Sequence, residues 1–186
     1  MSTSSRRLTT ILALLVFTCA LFVKLPEAQA YESAKIVLPA VSDRSGYNSS
    51  ALNAALLNKL RSQFRFPGYE TILTSAMTVA PDRSAFEKMT ADKGADGAVA
   101  VEINYLRTQM YNGFFDDETY EDTYLTLTLT YFDKKTGQYG QFKTNRSARE
   151  ISSVYSGPLP LALNAMEELL NRLDKIFPRQ FSGPRY

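Results

Sequence analysis

The chain of 186 residues contains no histidine and no tryptophan, and its one cysteine is Cys19. Each absence removes a class of chemistry. Without His there is no Ser-His-Asp triad and no imidazole base. The usual zinc, iron–sulfur and haem ligand sets draw on His and Cys, and they are missing too. A single cysteine cannot make an intrachain disulfide, so stability has to come from a packed core. Carboxylate-based hydrolysis and an oxygen-ligated Ca²⁺ or Mg²⁺ site stay open. The expectation is a chain with no cofactor, no metal centre and no catalytic set.

Long apolar runs are confined to the N-terminus. Arg6 and Arg7 form a basic head, Leu8 to Val23 is almost wholly apolar, and Ala28-Gln29-Ala30 closes the segment. That layout is a secretory signal peptide over residues 1–30, with Ala28 and Ala30 read by signal peptidase and cleavage before Tyr31. A spanning helix needs about 20 predominantly apolar residues, and Lys24, Pro26 and Glu27 interrupt this one. Lipidation at Cys19 is a rival reading, but Phe17-Thr18 precede it where a lipobox wants a small residue. Cleavage would remove Cys19. It would also remove Arg6, Arg7 and Lys24 against Glu27, which cancels the whole formal charge of +2. The processed chain then lacks the basic footprint of a nucleic-acid binder. An exported protein, periplasmic or extracellular, follows, with no transmembrane span after processing and possible outer-membrane association.

Residues 31–178 read as one globular α/β domain, and 179–186 as a flexible tail. Ala34–Val41 is an apolar strand. Ser49 or Ser50 opens a helix to about Arg65, with Leu52, Leu56, Leu60 and Phe64 on one face. Tyr69–Leu73 is a second strand. Ser84 and Glu87 fit a capping box for a short helix ending near Gly94. A third strand covers Ala98–Tyr105, and Leu106–Thr123 reads as a connection. Tyr124–Tyr131 alternates Leu with Thr, which puts one face on the core and leaves the other wetter. Asp133–Gly137 is a hairpin turn. The strand from Gln138 to Arg149 carries Lys143, Arg146 and Arg149, as an edge does. A closing amphipathic helix covers Leu159–Phe177. The order β-α-β-α-β-β-β-α predicts a single mixed sheet of about five strands with helices packed on it.

Three segments taken in order resemble an envelope α/β domain group. Lys35-Ile36-Val37-Leu38-Pro39 with Asp43-Arg44-Ser45-Gly46 is similar to the group's opening strand and loop. Lys93–Val99 is similar to its Gly-Ala-Asp entry to the third strand, and Asp133–Gly137 to its hairpin. The group includes the curli-secretion lipoprotein CsgG, the N-terminal domain of TolB and the penicillin-binding-protein activator LpoB. The resemblance, over roughly Lys35 to Phe177, implies a periplasmic or outer-membrane-associated protein that acts mainly through protein contacts. It carries over no catalytic residue. Ala40 stands where the group usually has an aromatic residue. Asp116, Asp117, Glu118, Glu121 and Asp122 in the 106–123 stretch exclude a lipid-inserting hairpin.

Two stretches are candidate sites. Tyr111, Phe114, Phe115 and Tyr120 are expected to form a partner-binding tip, since exposed aromatics anchor interfaces; the plainer reading is a hairpin end folded over its own sheet. Asp43, Arg44 and Tyr47 follow the first strand, where α/β folds place ligands, although turn chemistry alone explains Asp43 and Gly46. The leading expectation is a non-enzymatic accessory or adaptor of the bacterial envelope, with an envelope protein or a second copy as partner. The alternative is a periplasmic small-molecule or glycan binder, or a carboxylate-dependent enzyme, using the 42–48 loop.

Overall fold

The computed structural model describes residues 33–77, 82–113, 118–153 and 157–179, all within the unit Glu32–Tyr186. The expected signal peptide, with Ala28 and Ala30, lies outside the described residues, as do Phe114, Phe115 and residues 180–186.

Strand β1 is Ala34–Pro39, and the two-residue strand β2 is Ser42–Asp43. Helix α1, Ser50–Arg61, begins where the Ser49 hydroxyl accepts from the Leu52 amide at 3.2 Å. That bond satisfies one of the free donors of the first turn. Leu52, Leu56 and Leu60 recur every four residues and are buried, so the helix lays one stripe on the sheet. Strand β3 is Tyr69–Thr74 and helix α2 is Arg83–Asp92. The expected capping box is corrected here. The Asp82 carboxylate accepts from the Ala85 amide at 2.8 Å and the Ser84 hydroxyl at 3.0 Å, while Glu87 pairs with Arg83 at 2.7 Å. A full charge at Asp82 outcompetes the Ser84 hydroxyl as cap.

Strands β4, Gly97–Asn112, β5, Thr119–Asp133, and β6, Gln138–Ile151, form a long antiparallel meander. Helix α3, Pro158–Leu173, follows Gly157, with Pro158 supplying the fixed φ of a first turn. The sheet order is β3-β1-β4-β5-β6, with β2 beside β4, so the six strands are the expected mixed sheet plus the short β2. β1 pairs parallel with β3 and β4, and β4, β5 and β6 pair antiparallel.

Helices α1 and α3 share one face of the sheet. Their leucines, with Ala162, Ala165 and Met166, close over Ile36, Leu38, Val101, Ile103, Leu127 and Leu129. Helix α2 covers the other face with a smaller cluster, in which Phe86 meets Val37, Ala98, Ala100 and Phe132. Gly97 lies where the layers approach closely. A Cβ there would be 2.9 Å from the Phe132 carbonyl oxygen and 3.1 Å from the Phe177 ring.

The connection expected over Leu106–Thr123 is mostly strand. β4 continues to Asn112, β5 starts at Thr119, and the Gly113 amide donates to the Glu118 carbonyl at 2.8 Å. Both faces of this stretch are polar, so the alternation that marks a half-buried strand is absent from its sequence. Arg179, the first residue of the expected tail, is fastened to the domain. Its amide donates to Asp174 at 2.6 Å and its guanidinium reaches Glu167 and Asn171, each at 3.1 Å, and Gln63. Among the described residues no helix is long and apolar enough to cross a membrane.

Candidate functional site

Register decides which side chains share the outer part of the ribbon. Across β4, β5 and β6, the rows on the α2 side read Glu102–Thr128–Lys143, Tyr105–Thr126–Asn145, Arg107–Tyr124–Ser147, Gln109–Asp122–Arg149 and Tyr111–Tyr120–Ile151. A bulge between Ile103 and Tyr105 inserts Asn104 and keeps the phase of the rows beyond it. The apolar cluster of α2 stops at Ala100 and Phe132. Beyond that point the face carries Tyr105, Tyr124 and Tyr111 at 46%, 42% and 39% exposure, with Ile151 at 54%. Three half-exposed tyrosines thus share one sheet face.

The outermost rows are internally braced. Tyr111 and Tyr120, both expected at the tip, stack with ring centroids 5.8 Å apart and planes 21° from parallel. The Arg149 guanidinium lies over the Tyr111 ring, 5.6 Å from its centroid, within cation–π range. The same guanidinium grips Asp122 twice, at 2.8 and 3.1 Å. Such a fork holds both groups in one plane. It also holds the Asp122 carboxyl below the usual carboxylate range, with partial desolvation opposing. Burial raises the Tyr111 phenol, Asp122 adds to that, and Arg149 acts against it. The charges of Arg149 and Asp122 are therefore spent on each other, and the face offers outward its rings together with the exposed Arg107.

The loop expected to bind a ligand is built differently. The Asp43 carboxylate accepts from the Ser45 amide at 2.9 Å, the Ser45 hydroxyl at 2.6 Å and the Asn48 amide at 2.8 Å. These bonds close the turn, as Asx side chains do. Arg44 pairs with Glu102 at 3.1 Å and its amide donates to the Ile103 carbonyl. Glu102 also accepts from Asn104 at 2.6 Å, and Asn104 accepts from the Thr128 hydroxyl. The loop is thus tied to the inner end of the ribbon face. Tyr47 alone of its three candidates extends into solvent without a side-chain partner role in this network, at 44% exposure. Among the described residues no group of three or more His, Cys, Asp or Glu side chains could hold a metal ion.

The sequence names Tyr111 and Tyr120 as candidates but does not show Tyr105, Tyr124, Asp122 and Arg149 as their neighbours. Only the strand register, which the polar stretch conceals, would have joined them.

No protein-family model matches the chain, and no curated protein does. Among solved structures the chain is similar to lipoprotein GNA1162 from Neisseria meningitidis, with 17% identity, 75% of this chain and 99% of that one covered, and a TM-score of 0.46. It is also similar to the hypothetical protein CT253 from Chlamydia trachomatis, with 13% identity, 76% and 96% covered, and a TM-score of 0.47. A third is the PelC dodecamer from Paraburkholderia phytofirmans, with 13% identity, 80% and 90% covered, and a TM-score of 0.44. At these values the likenesses say nothing of what this chain binds or does.

Proposed function

We propose that the chain is an exported accessory protein of the bacterial cell envelope, without catalytic activity of its own, that works by recognising another protein. The observation that carries this reading is the open ribbon face, where Tyr105, Tyr124 and Tyr111 stand half exposed on paired strands. Tyrosine gives a rigid contact with an apolar body and a polar tip, which suits it to interfaces. The pattern of residues 1–30 supports export. The resemblance over Lys35 to Phe177 supports an envelope role through contacts.

The test places a photo-crosslinking amino acid at position 124 of the full-length protein in intact native cells. One envelope protein should be captured in high yield, and Tyr105→Ala with Tyr111→Ala should reduce that yield at least tenfold while the far-ultraviolet spectrum stays unchanged. Capture at equal yield by the folded double variant would remove the ribbon face from the reading.

A further inference from the structure

The two edges of the sheet are built differently. β6 is guarded, with Lys143, Arg146 and Arg149 along it and Glu168 of α3 bonded to its Thr144 and Arg146. Charges and covering groups of this kind discourage further pairing. Among the described residues β3 has one exposed charge, Glu70, and no covering helix bonded to it. Its six residues, Tyr-Glu-Thr-Ile-Leu-Thr, include no proline and no basic residue, and Leu73 is 48% exposed. On its outer side β3 has no strand partner among the described residues.

A groove runs along each side of this edge. Between β3 and the end of α1 lies one of about 560 Å³, with Arg61, Arg65, Glu70 and the 79% exposed Phe66 in its wall. Between β3 and α2 lies one of about 710 Å³, with Lys88, Lys93, Asp92 and Met89. Helices α1 and α2 sit on opposite faces of the sheet. A strand added beside β3 would therefore send alternate side chains into the two grooves, because successive residues of a strand point to opposite faces. Each groove offers apolar surface and two cations against one acid. None of Arg61, Arg65, Lys88 and Lys93 is in an ion pair among the described residues.

We propose that β3 is a strand acceptor. It takes an extended segment of a partner protein, bearing acidic and aliphatic side chains on both of its faces, as a further strand of the sheet. Backbone pairing supplies affinity and the two grooves supply selectivity. Six residues of β3 at about 3.3 Å each give a footprint of roughly 20 Å. A second copy is a poor occupant, because its β6 edge is already bonded to Glu168 of α3 and its β3 edge would set these four cations against their like.

The experiment uses the processed full-length protein and a fluorescein-labelled octapeptide in which pairs of valines alternate with pairs of glutamates. Each face of that extended peptide shows both residue types. Saturable binding is expected, at least tenfold weaker for the lysine-for-glutamate peptide and at least tenfold weaker when alternate backbone nitrogens are methylated. Arg61→Ala with Arg65→Ala, and separately Lys88→Ala with Lys93→Ala, should each weaken binding threefold or more. These exposed pairs lie outside the core, so the fold survives both changes. Absence of binding, equal binding of the lysine or methylated peptide, or affinity unchanged in both double variants would overturn the proposal. So would a dimer in sedimentation that the peptide does not dissociate, since a second copy would then hold the edge.

Discussion

At the scale of the residue, two side-chain positions carry measurable consequences. Gly97 is fixed by crowding, since any Cβ must displace the Phe132 backbone or the Phe177 ring. Overpacking of this kind costs about 1–3 kcal/mol, so Gly97→Ala should lower the urea midpoint by a corresponding amount with an unchanged slope. Glu168 links α3 to β6. Its carboxyl lies below its ordinary range, first because the Thr144 hydroxyl donates to it and next because of Arg146. A carboxyl lowered on folding stabilises the native state above its unfolded value of about 4.3, and that contribution disappears as pH falls through the folded value. Glu168→Gln should therefore lower the urea midpoint at neutral pH and leave it equal to the parent's once both are acidified below that range. A difference that persists in acid would mean that Glu168 acts through packing and not through its charge.

At the scale of the element, α2 depends on one anchor. Phe86 is its single large side chain that is wholly buried, and it also meets the Tyr139 ring edge-on at 6.1 Å. Phe86→Ala should cost about 3–5 kcal/mol. Amide exchange should rise first over Arg83–Asp92, and uniform acceleration across α1 and α3 would show that the two faces unfold as one. The elements that were legible in the sequence are those with an apolar stripe. Leu52, Leu56 and Leu60 announce α1, and the Leu–Thr alternation of 125–130 announces β5. The outer ribbon was not legible, because Thr108, Thr123, Glu121 and Glu150 on one face match the polarity of Gln109, Asp122 and Arg149 on the other. A cap is a choice between neighbours, and Asp82 two residues before Ser84 offers the stronger acceptor. Of the candidate site, the residue types at 111 and 120 could be read, whereas their stacking and the Asp122–Arg149 fork follow from register.

At the scale of the molecule, among the described residues the sheet has one face shared by two helices, one face half covered, one guarded edge and one open edge. Both proposed contact surfaces are therefore places where the secondary structure is left incomplete, and they lie on different parts of the sheet. Disabling the ribbon tyrosines should leave peptide uptake at β3 unchanged, and removing the groove cations should leave crosslinking from position 124 unchanged. Loss of both functions in either variant would indicate one contiguous surface. Export has its own readout. The protein recovered from its host should have a mass and N-terminal sequence beginning at Tyr31, and an N-terminus retained at Met1 would turn the first 30 residues into an anchor.

The stacked Tyr111 and Tyr120 have a practical consequence in a chain with eleven tyrosines and no tryptophan. Ordinarily tyrosine emission is lost by energy transfer to a nearby indole, and here no indole exists to accept it. The phenols of the ribbon should then report on their own surroundings without a label. Subtracting the emission of Tyr124→Phe from that of the parent isolates one ring, and quenching of that difference by a bound molecule would mark occupancy of the face in real time.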